Sequence, residues 1–296
     1  MLQLNSSNSS LNGPVSTGNL IASSVLTVCF ILGVPGNIAV VVRLGGWLKG
    51  GSFTPRLMLS LAISDLLTLL TLPVWIWALL HGWAFDLVLC KFLSYLVYLS
   101  IYCSILCVML MSVQRYLQVL YPEKWKKLGR KGKKILLSGM WILSGILSSH
   151  ALVQRTLNLD REGWLQCKRC YQNDVEKVAT LIWDIIIFVV SFPIIVYFYF
   201  HLYRRVHNSA LFRSNLMTKL VIRIVACFFI FWIPFHINNF LLIIAVLLGN
   251  DNLSRSAEAG DNITGALTFI NSCVNPFLYA FSARALRQQT AGTENT

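Results

Sequence analysis

The chain has 296 residues, of which 56% are hydrophobic and only 12% are charged, with a formal net charge of +13 and a mean hydropathy of +0.63. Charged residues this few could not cover the surface of a soluble domain of this length. The composition therefore excludes a soluble globular protein and indicates a membrane protein. The positive charge suits anionic lipid and partner proteins at a membrane surface, and nucleic acid is a poor alternative partner.

Seven apolar stretches of about 20 residues or more follow one another along the chain, and a helix of about 20 residues crosses the ~30 Å hydrocarbon core of a bilayer. The sequence therefore predicts an all-α membrane protein of one domain, folded as a seven-transmembrane helix bundle. The predicted spans are Leu20 to Val42, Leu57 to Leu80, Leu87 to Leu120, Ile135 to Val153, Val178 to Tyr203, Leu220 to Leu248 and Ile263 to Phe281.

The basic residues predict the orientation of the bundle. Most of the 25 Lys and Arg residues lie in the first, third and fifth connections and after the last span, and cytoplasmic loops beside spans retain such residues. We therefore expect residues 1–19 to form an extracellular N-terminal tail, residues 20–282 the transmembrane domain and residues 283–296 a short cytoplasmic tail. Four N-glycosylation sequences fall on the predicted outer side. They are Asn5, Asn8, Asn252 and Asn262.

Cysteines on the predicted outer side suggest a disulfide. Cys90 begins the third span, and Cys167 and Cys170 lie in the loop between the fourth and fifth spans. Because thiols in an oxidising compartment can bridge, we predict a disulfide from Cys90 to one of these two, with Cys167 preferred. The Cys-x-x-Cys spacing is also seen in metal and redox sites, but here it has no second pair and no nearby histidine.

Polar residues inside the spans indicate a functional site in the interior of the bundle. Asp65 lies midway along the second span, where an ionisable residue costs ~2.5–3.5 kcal/mol on insertion scales. Ser104, Asn271 and Asn275 lie at comparable depth on other spans. Oxygen ligands of this kind suit a hard cation. A hydrogen-bonded cluster that joins the helices is the alternative interpretation.

Short motifs then occur in a fixed order from about Gly33 to Ala285. They are "GN" at Gly36, "LAISD" ending at Asp65, Cys90, "QRY" at Gln114 to Tyr116, Trp141, Pro193, "FWIP" at Phe231 to Pro234, and "NPFLY" at Asn275 to Tyr279. In this order and spacing the chain resembles the rhodopsin-like (class A) G-protein-coupled receptors. The resemblance implies a multi-pass plasma-membrane protein with an extracellular ligand and a heterotrimeric G protein as partners. It also implies that the chain is not an enzyme.

The resemblance also implies roles for single residues. Arg115 would hold the cytoplasmic helix ends together at rest and meet the G protein when active, and Trp232 would change rotamer beneath the ligand. Gln114 stands where the family usually has an acid, so it could offer Arg115 only a neutral amide oxygen. The implied activation residues are Gln114, Arg115, Tyr116, Trp232, Pro234, Asn275, Pro276 and Tyr279. Asp65, Ser104, Asn271 and Asn275 match the family's sodium site, and no other cofactor is expected.

For the ligand, the chain is most similar to the leukotriene B4 receptor and chemoattractant branch, through "RTL" at Arg155, "LIWD" ending at Asp184 and "FWIPFHINN" from Phe231 to Asn239. The similarity implies a pocket with Arg155, Tyr102 and Asp184, in which Arg155 grips a lipid carboxylate and is the expected partner of Asp184. Val97 stands where amine receptors carry an aspartate, so an amine ligand is disfavoured. The other implied pocket residues are Ser94, His236, Trp75, Trp77, Trp183 and Phe240.

The resemblance therefore implies a receptor for an extracellular lipid mediator of the leukotriene B4 type that activates a G protein, by family analogy one of the inhibitory class. A chemotactic peptide receptor of the same fold is the first alternative. An ion or proton translocator that uses Asp65 and Asp184 as a relay is an alternative of another class. Gln114 and the short tail also leave open a non-signalling scavenger. For Arg155 itself, the alternative to ligand binding is that its charged end extends to the membrane interface, as basic residues at span ends often do.

Overall fold

The computed structural model describes residues 15–47, 53–159, 163–206 and 216–293; within these ranges the side chains of residues 46–47, 199, 203, 206, 216–221 and 279–293 lie outside the description. The described chain forms ten helices and a two-stranded sheet. The elements are α1 Thr17–Trp47, α2 Phe53–Leu69, α3 Leu72–His81, α4 Leu87–Leu120, α5 Pro122–Lys127, α6 Gly129–Ser148, α7 His150–Gln154, β1 Arg155–Leu159, β2 Leu165–Arg169, α8 Asp174–Val206, α9 Leu216–Leu247 and α10 Asp251–Thr293.

The helices confirm the predicted membrane bundle. Six segments of the described chain are long and apolar enough to cross a membrane, and they correspond to the first six predicted spans. The seventh predicted span, Ile263 to Phe281, is the central part of α10, which packs along α1 and α9. The side of the membrane on which each chain end lies stays a prediction.

Local capping explains why α4 coincides with the third predicted span. The carboxylate of Asp86 accepts a hydrogen bond of 2.8 Å from the backbone N–H of Leu89, which satisfies one of the free donors at the helix start. At the other end Pro122 disfavours helical geometry at Tyr121, whose φ of −136° and ψ of 57° end the helix. α4 therefore has the same bounds as the apolar run.

Proline breaks one predicted span in two. α2 ends at Leu69 and α3 begins at Leu72, with Pro73 in the first turn of α3, where the missing N–H does no harm. Pro193, Pro234 and Pro276 instead lie inside continuous helices. After the break, α3 contributes Trp75, Ala78 and Leu79 to the cavity described below.

A β-hairpin between α7 and α8 was not predicted from the sequence. β1 and β2 are antiparallel, with Arg155 opposite Arg169 and Leu157 opposite Cys167. A disulfide joins Cys167 to Cys90, with their Cα atoms 5.7 Å apart, which confirms the preferred pairing. Cys170 is exposed and free. The disulfide therefore fastens β2 to the start of α4.

The bundle is apolar on both its inner and outer surfaces. Leu57, Met111 and Phe228 are fully buried in the main core formed between helices. Ile135 is 70% exposed and Val153 80% exposed on the outer surface, which is expected for a surface that faces lipid tails. An apolar core and an apolar outer surface together fit a bundle that lies in a bilayer.

Candidate functional site

A cavity of about 520 Å³ lies between the helices and the hairpin. It is lined by residues of α1, α3, α4, α8, α9 and α10 together with both strands. Its volume is within the range of small-molecule pockets, roughly 300–1,000 Å³. Most of its lining is apolar, with Val97, Ile101, Leu242 and Phe269 as examples.

The structure brings six of the predicted pocket residues together at this cavity. They are Trp75, Ser94, Tyr102, Arg155, Asp184 and His236. Trp77, Trp183 and Phe240 lie outside the lining, and each is about half exposed. Their part in ligand binding stays a prediction. Trp183 precedes Asp184, and neighbouring positions on a helix point about 100° apart, so the two side chains leave α8 in different directions.

The hairpin supplies the partner of Asp184. Arg169 Nη1 donates to Asp184 Oδ2 at 2.7 Å, and the two side chains are only 12% and 6% exposed. Burial acts to lower the pKa of Arg169, but neighbouring groups including Asp184 outweigh it and raise that pKa well above its ordinary value. The expected pairing of Asp184 with Arg155 is therefore wrong. Arg169 lies in the short "CKRC" sequence. Its positive charge was the only feature of the sequence that could have indicated it as a partner of Asp184.

Arg155 lies just beyond the fourth predicted span. It is the first residue of β1, directly after the end of α7. Its Nη1 donates to the carbonyl of Cys167 at 3.2 Å, and its guanidinium carbon lies 6.0 Å from the centre of the Tyr98 ring. Within the described ranges no carboxylate forms a salt bridge with it.

The charged groups around the cavity do not balance. Lys177 pairs with Glu258 at 3.2 Å, just as Arg169 pairs with Asp184. The described lining holds four basic and three acidic side chains, so one positive charge is in excess. These side chains are Arg155, Lys168, Arg169, Lys177, Asp184, Glu258 and Asp261.

Several polar atoms at the cavity have no hydrogen-bond partner within the described part of the chain. They include the Tyr102 hydroxyl, both ring nitrogens of His236 and both amide atoms of Asn239. Asn239 is fully buried, and the sequence patterns did not single it out. Its position three residues after His236 puts both on one helix face, and that spacing could have indicated it. These atoms can bind a polar group of a ligand.

The polar residues predicted to form a sodium site are partly in contact. Asn275 Nδ2 donates to Asp65 Oδ2 at 2.8 Å, and both side chains are fully buried. The hydroxyls of Ser64 and Ser104 lie 3.2 Å apart. Asp65 Oδ1, Asn271 Oδ1 and Asn275 Oδ1 are buried without a partner in the described structure. Oxygen atoms of this kind fit a hard monovalent cation.

The described residues offer no competing transition-metal site. They contain no group of three or more His, Cys, Asp or Glu side chains that could hold a metal. Cys167 is in a disulfide, so the "CKRC" sequence is not a metal or redox pair. The sodium site stays a prediction.

At the other end of α4 a threonine joins the activation residues. Gln114 Nε2 donates to Thr54 Oγ1 at 2.6 Å, and Arg115 Nη2 donates to the same oxygen at 3.3 Å. Gln114 Oε1 is buried without a partner among described atoms. The expectation that Gln114 offers its oxygen to Arg115 is therefore wrong. Thr54, on α2, was not predicted.

The other predicted activation residues occupy helix contacts. Trp232 lines the cavity and stacks on Phe228 at 5.5 Å between ring centres, and Tyr116 packs on Phe198 at 5.0 Å. Pro234 lies in α9, two residues after Trp232. Pro276 contacts α1 so closely that a Cβ at Gly36 would lie 3.0 Å from its ring. The side chain of Tyr279 lies outside the described residues.

The predicted glycosylation residues are placed in part. Asn252 and Asn262 are exposed at the start of α10, and Asn262 Nδ2 donates to Asn19 Oδ1 at 2.8 Å. A glycan on Asn262 would need this bond to open. Asn5 and Asn8 lie outside the described residues, so glycosylation stays a prediction.

Known proteins of similar sequence are receptors. Leukotriene B4 receptor 1 of Homo sapiens is 31% identical over 275 residues, which cover 90% of this chain and 78% of that receptor. C5a anaphylatoxin chemotactic receptor 1 of Cavia porcellus is 31% identical over 284 residues, 92% of this chain and 80% of its own. Type-1 angiotensin II receptor A of Xenopus laevis is 27% identical over 277 residues, with coverages of 89% and 76%.

A family model described as "7 transmembrane receptor (rhodopsin family)" matches residues 36–279. This range contains the motifs from Gly36 to Tyr279 that carried the resemblance, as well as all the cavity-lining residues except Leu26. The family predicted from the sequence is thus confirmed. This chain belongs to the rhodopsin family of seven-transmembrane receptors, and it is a multi-pass plasma-membrane receptor rather than an enzyme.

Proposed function

We propose that this receptor binds an extracellular lipid mediator with one carboxylate, of the leukotriene B4 type, and activates a heterotrimeric G protein of the inhibitory class. The observation that carries the proposal is the Arg155 guanidinium, which lines the cavity and forms no salt bridge within the described chain. A partly buried cation without a counter-ion is costly, and a ligand carboxylate would compensate it. The human leukotriene B4 receptor 1 among the similar sequences supports this ligand class.

The remainder of the cavity suits the body of a lipid. Ile101, Leu242 and Phe269 give apolar walls, and burying apolar surface contributes roughly 25 cal/mol per Å². Tyr102, His236 and Asn239 carry polar atoms without partners in the described structure. Hydroxyl groups of the lipid would bind there, because a hydroxyl both donates and accepts a hydrogen bond.

The same cavity reaches the residues that would pass on the signal. Trp232 lines it and belongs to α9, where Pro234, two residues further on, lacks the N–H that would close one backbone hydrogen bond of the helix. An agonist that contacts Trp232 differently in two conformations shifts the population between them. Movement of α9 would expose Arg115 to the G protein. Asp65, Ser104, Asn271 and Asn275 would hold a sodium ion, which supplies positive charge beside the Asp65 carboxylate in the resting state.

The proposal is tested by nucleotide exchange on purified G proteins of the inhibitory and other classes, in membranes that contain the full chain. Leukotriene B4 should stimulate exchange on the inhibitory class, and its methyl ester should be at least tenfold weaker. Arg155→Gln should reduce the response to the acid to that of the ester. Matched Arg255→Gln removes an exposed charge of α10 and should leave both responses unchanged.

Other outcomes would replace the proposal. Stimulation by C5a but by no lipid acid would identify a peptide receptor. Specific binding of leukotriene B4 without exchange on any G protein would identify a scavenger. A current or ion flux in reconstituted vesicles without exchange would identify a translocator.

A further inference from the structure

The hairpin places two arginines directly opposite each other. Arg155 begins β1 and Arg169 ends β2, and the two are paired residues in the antiparallel register. Side chains of directly opposed residues emerge on the same face of a hairpin, with their Cβ atoms about 5 Å apart. Both arginines line the cavity. The hairpin therefore presents two guanidinium groups to the same space.

Two like charges in this position repel each other, so a neighbouring anion is needed. Asp184 provides one through its 2.7 Å contact with Arg169. Arg155 has only its hydrogen bond to the carbonyl of Cys167 and no salt bridge to a described residue. One anionic position beside this pair is thus not filled by the described protein.

We infer that Arg155 and Arg169 together form a site for one ligand carboxylate, with Asp184 remaining on Arg169. This inference rests on the proposed acidic ligand and adds Arg169 as its second binding residue. A guanidinium has five N–H donors, and Arg169 uses one of them on Asp184 in the structure. The ligand carboxylate completes a neutral group of two arginines and two carboxylates. The site therefore selects a monoanion over a neutral ester and over a dianion.

The site is built before the ligand arrives. The two strands fix the spacing of the arginines, and the disulfide from Cys167 to Cys90 fastens β2 to α4. Asp184 holds the end of the Arg169 side chain against α8. Groups that are already in position lose little conformational entropy when a ligand binds, so a small carboxylate should be enough to show the preference.

The test uses the purified full chain and its thermal unfolding midpoint in sodium-free buffer, with potassium octanoate as probe and octan-1-ol with equal potassium chloride as the uncharged control. Octanoate should raise the midpoint of the wild type by more than octanol does. This difference should disappear in Arg155→Gln and in Arg169→Gln, and persist in Arg255→Gln, which lies outside the cavity. Because Arg169→Gln leaves Asp184 unpaired, the neutral double variant Arg169→Gln/Asp184→Asn is measured as well. It should also lose the difference while keeping a hydrogen bond between the two amides.

The inference is overturned if octanoate and octanol act alike on the wild type, or if both variants at Arg169 keep the full preference for octanoate. Its failure can be told apart from failure of the proposed function. If leukotriene B4 activates the G protein while the Arg169 variants keep the acid preference, the proposed function stands and the arginine pair does not. If the stabilisation by octanoate depends on both arginines while leukotriene B4 has no effect, the carboxylate site stands and the proposed ligand is wrong.

Discussion

The side-chain amide of Gln114 donates a 2.6 Å hydrogen bond to the hydroxyl of Thr54. These residues are 60 positions apart in the chain and belong to α4 and α2. Arg115 donates to the same hydroxyl at 3.3 Å. Thr54 is therefore a shared acceptor that ties the end of α4 to α2, in place of the carboxylate that usually precedes this arginine in the family.

Replacing Gln114 by glutamate should lower the activity of the receptor without agonist. A carboxylate would accept from Thr54 and Arg115, and hydrogen bonds that involve a charged group contribute ~1.5–3 kcal/mol against ~0.5–1.5 kcal/mol for neutral ones. The difference of ~1 kcal/mol between the two ranges corresponds to a roughly fivefold smaller active population. Nucleotide exchange in membranes matched for receptor density measures this. Unchanged or higher basal exchange would show that other contacts set the resting state.

Replacing Thr54 by valine should have the opposite effect. Valine has nearly the same shape but no hydroxyl, so the buried Gln114 amide loses its acceptor at a cost of ~1–3 kcal/mol in the resting state. Basal nucleotide exchange should rise about fivefold or more. Thr54→Ser keeps the hydroxyl and should behave like the wild type. Equal basal exchange in the valine and serine variants would contradict a role for this hydrogen bond.

Loss of the disulfide should strongly reduce the amount of receptor at the cell surface. Cys90→Ala and Cys167→Ser each open a bridge that closes 77 residues of chain, and removing a native disulfide typically costs ~2–5 kcal/mol. Surface labelling and ligand binding should both fall strongly. Cys170→Ser is the matched control, because this cysteine is exposed and free. Equal losses in all three variants would mean that Cys170 also takes part in a bridge.

Asn239 should matter for ligand binding and not for folding. Because neither of its buried amide atoms has a partner within the described structure, Asn239→Leu should leave the thermal unfolding midpoint without ligand unchanged or higher. Agonist affinity should fall about fivefold, the loss of one hydrogen bond of ~1 kcal/mol. Asn238→Leu changes the neighbouring amide outside the cavity lining and should not alter affinity. A lower midpoint with unchanged affinity would mean that Asn239 is structural.

The Asp65 cluster should make agonist affinity depend on sodium. Sodium bound beside Asp65 and Asn275 would favour the resting conformation, so sodium chloride should weaken agonist binding more than potassium chloride at equal ionic strength. Asp65→Asn removes the charge and should abolish the difference between the two salts. Competition binding in the two salts measures it. The same sodium effect in wild type and variant would show that the cluster only joins helices.

Local signals in the sequence were enough for the membrane-spanning segments, apart from the break between α2 and α3. The apolar length of each span predicted the bundle, and the bounds of α4 follow from Asp86 at its start and Pro122 after its end. The disulfide between Cys90 and Cys167 was also accessible, since these cysteines lie at the predicted outer end of the bundle. These features depend on residues close together in the chain, or on the simple division between membrane and water.

The partners of the charged and polar groups were decided by the tertiary structure. The register of β1 and β2 puts Arg169 rather than Arg155 on Asp184, and the packing of α2 on α4 brings Thr54 to Gln114. The rotation of α8 about its axis likewise turns Asp184 towards the cavity and leaves Trp183 about half exposed. Apolar composition does not determine these contacts. A span with apolar residues on every side is equally stable in lipid at any rotation about its axis, so only contacts between distant elements select one rotation.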